Sequence, residues 1–158
     1  MNYHKLDDTT LNNTLLQNLK TQSEVVIYYI QEMDIDMLEL ILDNEMKYQE
    51  LSKDKFIQKL SVIFDTFKLN KNDKLIKQDG FCNSDKCENS CKNGYTFLGN
   101  HSKHSLNLIF EVEDGIIQDI HDCFEFKSLN KELNIEYYNQ LTILNLDGDF
   151  VNGITSPF

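Results

Sequence analysis

Residues 106–126 read LNLIFEVEDGIIQDIHDCFEF. Leu106, Leu108, Phe110 and Val112 recur at every second position, the period of a strand with one face buried. Glu113-Asp114-Gly115 then interrupts the pattern, and a second apolar run follows. A three-residue loop with Gly115 in the left-handed position sets Val112 opposite Ile116. Ile116, Ile120, Phe124 and Phe126 then share the buried face, with Gln118 and Asp122 as its polar members. His121 and Cys123 fall on the outer face. A two-residue loop would instead turn Asp119 and His121 inward, which the apolar set disfavours.

The first half of the chain has a different period. Leu11, Leu15, Leu16 and Leu19 predict a helix over 7–20. Val25, Val26, Tyr29, Ile30 and Met33 predict another from Gln22. Asp34 or Asp36 starts a short helix through Met37, Leu38, Ile41 and Leu42, where a carboxylate suits the dipole. An extended piece around Met46–Leu51 follows. Ser52 caps a longer helix with Phe56, Ile57, Leu60, Ile63, Phe64 and Phe67 on one face. Strands are expected over 74–81, 95–98 and 106–112. Helices followed by an antiparallel meander make an α+β domain.

Three stretches carry a family resemblance: YYIQEMDIDMLELILDNEMKYQE, SKDKFIQKLSVIFDTF and LIFEVEDGIIQDIHDCFEF. Together they resemble the NTF2-like superfamily and its SnoaL-like branch over residues 22–127. The resemblance implies a cone, in which N-terminal helices pack on a curved antiparallel sheet around a pocket. Its members include isomerases, cyclases, dehydratases and non-catalytic binding or dimerising domains, so fold does not choose among them. A cysteine-rich loop at 82–93 and an extension over 128–158 depart from the family pattern, within one domain spanning 1–158.

The 158 residues carry a net charge of −11. That balance repels polyanions, which argues against nucleic acid and anionic membranes as partners. No arginine is present, so bidentate guanidinium capture of phosphate is absent. The beginning of the chain has no apolar secretory region and no run spans a bilayer, so the expected compartment is the cytoplasm, with reduced thiols.

Cys82-x4-Cys87-x3-Cys91 clusters three thiols on one short segment. Soft thiolates with short chain separation suit tetrahedral zinc, and a full set of four protein ligands would make the site structural. Cys123 is the favoured fourth ligand; His101, His104 and His121 are the alternatives. A simple register puts Cys123 about two strands, ~10 Å, from Cys82. A disulfide such as Cys82–Cys91, or free thiols, are the competing readings.

Asp122 and Gln118 are the polar residues expected inside the cone, with Tyr29 and Tyr48 as further pocket candidates and Tyr28 beside them as a source of a ligand contact, although aromatic residues at helical spacing more often belong to the core. A carboxylate there would have its pKa raised by desolvation and would serve as an acid or base. The plainer reading is a buried carboxylate satisfied by hydrogen bonds. Two functions follow from the pocket, beside a third in which the cysteine loop senses redox state or metal. One is a domain that binds a small hydrophobic ligand or a partner, or forms a homodimer through its outer sheet face. The other is a SnoaL-like enzyme using Asp122.

Overall fold

The computed structural model describes residues 21–82, 93–123, 126–128 and 138–144, with backbone alone at 80–82 and 126–128. The helix expected over 7–20 and most of the cysteine loop and C-terminal extension lie outside those residues.

Helix α1 (Gln22–Gln31) begins at Thr21, whose hydroxyl accepts from the backbone of Glu24 while the Glu24 carboxylate accepts from the backbone of Thr21. This reciprocal pair satisfies two otherwise open donors. Helix α2 (Ile35–Ile41) is capped by Asp34, which accepts from Met37 at 3.2 Å. Strands β1 (Lys47–Tyr48) and β2 (Leu51–Ser52) form a tiny hairpin. Its turn residues Gln49 and Glu50 both have left-handed φ, 53° and 63°. Helix α3 (Lys53–Leu69) starts on Ser52, as expected, and buries Phe56, Ile57, Leu60, Ile63, Phe64 and Phe67. Each such side chain contributes about 1.5–3 kcal/mol by leaving water.

Among the described residues six further strands follow: β3 (Leu75–Cys82), β4 (Gly94–Gly99), β5 (His104–Glu113), β6 (Ile116–Asp122), β7 (Phe126–Ser128) and β8 (Asn139–Leu141). They form one sheet in the order β6-β5-β4-β3-β7, antiparallel throughout, with β8 added parallel to β5. The fold is therefore α+β with a mostly antiparallel sheet. Leu75, Phe97, Leu106, Leu108, Phe110, Ile117 and Ile120 face the helices and complete one core with them.

The β5–β6 turn differs from expectation. Glu113 pairs with Ile116, so the loop is Asp114-Gly115 alone, with φ of 53° and 77°. Both values match the primed two-residue turn that strand twist favours. Taken alone, that loop turns Asp119 and His121 inward. A bulge corrects it: Val112 pairs with Ile117, but Glu111 pairs with Asp119. Gln118 is the extra residue. Beyond it the expected parity returns, with Ile120 opposite Phe110 and Asp122 opposite Leu108. Before it the parity is reversed. Ile117 is fully buried, whereas Ile116 is 43% exposed and Gln118 is exposed. Gln118 is therefore not an inner-face residue. Burying Ile117 outweighs the loss of one ladder position.

Gly115 sits under the start of α1. Its carbonyl accepts from Ser23 at 3.0 Å, and a Cβ there would meet the Thr21 side chain at 2.8 Å. The free edge of β6 is occupied by side chains. The Ile117 N–H donates to Gln22 Oε1, that of Ile120 to Asp119 Oδ1, and that of Asp122 to Gln49 Oε1.

Candidate ligand groove between α1 and the β3–β4 strands

Val26, Tyr29 and Ile30 turn toward the core. The neighbouring stripe of α1, Glu24, Ile27, Tyr28 and Gln31, forms one wall of a groove of about 630 Å³. The opposite wall comes from Lys74, Leu75 and Lys77 at the start of β3, with Tyr95 on β4. Tyr95 lies on the inner face opposite Leu108. Its ring is held 5.9 Å from Phe110 and 6.4 Å from Phe97. Lys77 Nζ lies 4.7 Å over the Tyr95 ring, a cation–π contact of about 0.5–1 kcal/mol at such a site.

Burial raises the pKa of both phenols. Glu32 and Asp34 add to this at Tyr28, and Asp79 and Glu24 at Tyr95. Both therefore stay protonated as O–H donors at neutral pH. Neither phenol is hydrogen-bonded among the described residues. Its lining sets Ile27, Leu75, Ile76 and the rings of Tyr28 and Tyr95 beside the charges of Glu24, Glu32, Lys74 and Lys77, a mixed apolar and polar hollow of small-molecule size.

Of the residues singled out from sequence, Tyr28 lines this groove and the others fall elsewhere. Tyr48 is fully buried, packs on Phe56 at 5.2 Å, and accepts from the Asp43 backbone at 3.1 Å. Tyr29 is 7% exposed and belongs to the core. Gln118 bonds the Ile116 carbonyl at 3.3 Å and lines a hollow beside β5.

Asp122 is buried at the end of β6. Its Oδ1 accepts from Ile143 N at 3.0 Å, and its Oδ2 from Leu144 N at 3.0 Å and Gln49 Nε2 at 3.1 Å. Desolvation raises its pKa, and these three bonds oppose the shift. The carboxylate ties β6 to the turn after β8 and to the β1–β2 hairpin.

Cys82 pairs with Phe126 in the β3–β7 ladder, and buried Cys123 lies three residues before Phe126. That pairing brings the two chain segments closer than a simple meander does. Cys87, Cys91 and the Cys82 side chain lie outside the description.

The histidines separate. His101 is exposed, and its backbone N–H donates to Asn72 Oδ1 at 2.7 Å. His104 is buried, with Nδ1 2.7 Å from Ser102 Oγ. His121 lies outward beside Glu111. Among the described residues, no helix is long and apolar enough to cross a membrane.

Tyr95, Lys77 and Lys74 went unremarked in the sequence. Tyr28 and Tyr29 are both candidates from sequence, and packing turns Tyr29 into the core and leaves Tyr28 on the groove. No family model, no curated protein and no solved structure matches the chain.

Proposed function

We propose that this protein is a small NTF2-like binding domain whose ligand seat is the groove between α1 and β3–β4. The observation that carries the reading is the pair of phenols, Tyr28 and Tyr95, bordering about 630 Å³ with no hydrogen bonds among the described residues. The element order supports the NTF2-like part. Among the described residues two helices, a hairpin and a long helix precede the meander, and the hairpin tip lies on the β6 edge. The ligand class is a small, largely apolar molecule with a hydrogen-bond acceptor for the phenols. Asp122 is a structural tie in this reading, because three donors hold its oxygens.

A homodimer through the outer sheet face is less favoured. Thr96, Leu98, Ser105 and Asn107 at its centre are already buried in the single chain.

The test is a small-aromatic fragment screen followed by backbone amide NMR. Binders are expected to shift residues 24–32, 74–77 and 95, and to weaken in Tyr95→Ala. Hits that ignore both Tyr28 and Tyr95 would overturn the groove.

The cysteine segment is a separate proposal. Structural zinc on Cys82, Cys87, Cys91 and Cys123 is supported by the spacing and by the β3–β7 pairing. Elemental analysis with thiol counts before and after chelation tests it. Reactive thiols and no zinc would end it.

A further inference from the structure

The bulge at Gln118 places Asp119 on the outer face directly opposite Glu111, and His121 two residues further along the same face. One ligand atom from each of Glu111, Asp119 and His121 lies within 4.8 Å of the others. We propose that these three residues form a divalent-cation site with open coordination positions.

Spacing is the first argument. His121 Nε2 and Glu111 Oε2 are 3.2 Å apart. Donors adjacent around a metal with bonds of about 2.0–2.2 Å sit roughly 3.0–3.5 Å apart. One ligand atom of Asp119 lies within 4.8 Å of both, on the same face of the sheet.

The atoms around the three donors are the second. Asp119 Oδ1 accepts from Gln49 N at 2.7 Å and Ile120 N at 2.8 Å, which fixes the carboxylate plane and leaves Oδ2 for the ion. His121 Nδ1 lies 3.4 Å from the Asp122 carbonyl. His121 Nε2 faces Glu111 Oε2, a contact that an ordinary Nε2–H···O hydrogen bond also satisfies; with the proton on Nδ1 instead, Nε2 is the metal-facing nitrogen, as around metal-ligating histidines. Glu111 and Asp119 are carboxylates directly opposite each other across the ladder, a pairing that destabilises it unless a cation offsets their charge.

A separate feature lies alongside. A hollow of about 420 Å³ over β5 is walled by Ile109, Glu111, Val112 and Gln118. Of the three donors it borders Glu111, and it leaves room for water or a small oxygen ligand on that side. One imidazole nitrogen and two carboxylate oxygens suit Mn2+, Fe2+ or Zn2+, whereas Ca2+ takes six to eight oxygens. The site shares no residue with the cysteine segment or the groove, and stands or falls independently of them.

The experiment is Mn2+ titration of the full chain, read by electron paramagnetic resonance and by paramagnetic broadening of amide signals. Mn2+ is chosen because it prefers oxygen and nitrogen to thiolate. One ion per chain is expected, with broadening centred on residues 111 and 119–121. Asp119→Asn keeps the Oδ1 acceptor and replaces only the liganding oxygen. It and His121→Gln should each weaken binding by about tenfold or more, while Glu39→Gln, exposed on α2, leaves it unchanged. Absence of saturable binding, equal affinity in both folded variants, or broadening centred on Asp34, Asp36 and Asp65 would overturn the site. The last outcome would mean simple attraction to acidic surface, and the first a plain His121–Glu111 surface pair.

Discussion

Gln49 and Asp122 are bonded to each other twice. The Gln49 amide donates to Asp122 Oδ2 at 3.1 Å, and the Asp122 backbone N–H donates to Gln49 Oε1 at 3.0 Å. A hairpin of four strand residues is thereby locked to the last residue of β6. Gln49→Ala removes both bonds and leaves a buried N–H and a buried carboxylate oxygen less satisfied. The expected loss is about 1–3 kcal/mol in urea unfolding. Gln49→Glu should cost more, because it sets one carboxylate against another. Equal stability of wild type and Gln49→Ala would show that the tie is not formed in solution.

Asp122→Asn separates the structural role from the catalytic one. The Asn amide offers one acceptor and one donor group where three donors converge. A destabilisation of about 1–3 kcal/mol is expected, visible as a lower urea midpoint at unchanged slope. A variant as stable as wild type would return the carboxylate to consideration as a pocket acid or base.

Gly115→Ala should be destabilising by more than about 1 kcal/mol. Its φ of 77° disfavours any Cβ, and the added carbon would overlap Thr21 at 2.8 Å. Thr21 caps α1, so the loss should be accompanied by earlier exchange of the amides at the start of that helix. Hydrogen exchange confined to the β5–β6 turn would contradict this coupling.

His104 makes the fold acid-sensitive. Burial lowers its pKa below the usual 6.5, so the unfolded chain binds this proton more readily than the folded one. Stability from this group is complete above about pH 6.5 and falls as pH drops toward the folded pKa. Asn72 Nδ2 donates to Ser102 Oγ at 2.7 Å, which leaves the Ser102 proton for His104 Nδ1. His104→Asn keeps an acceptor for that proton and does not titrate. Its unfolding free energy should change less between pH 7.5 and 5.5 than that of wild type. Identical slopes would show that His104 is already solvated.

Which parts of the molecule the sequence reveals follows from what sets each of them. Asp34 and Ser52 act within one turn of their own helices, and their caps are readable because nothing distant intervenes. The face of Ile120 and Asp122 is readable because the apolar set on β5 admits only one parity. The route to that parity is not readable. A three-residue loop and a two-residue loop with a bulge end in the same register, and they differ only in Ile116, Ile117 and Gln118. Burial of Ile117 against the helices makes the choice. The groove is less legible still. Tyr28 and Tyr95 are 67 positions apart in the chain, and only the packing of α1 against β3–β4 brings them to one opening.

Strand β6 ends the sheet, yet Gln22, Asp119 and Gln49 already accept the N–H groups of Ile117, Ile120 and Asp122. A strand from another molecule would find those donors spent. The sheet is closed to edge-to-edge growth on that side, so protection against fibril-like stacking comes here from two glutamines and an aspartate rather than from a proline or a lysine. Mutations at Gln22 or Gln49 would then show themselves first in the test tube as concentration-dependent association.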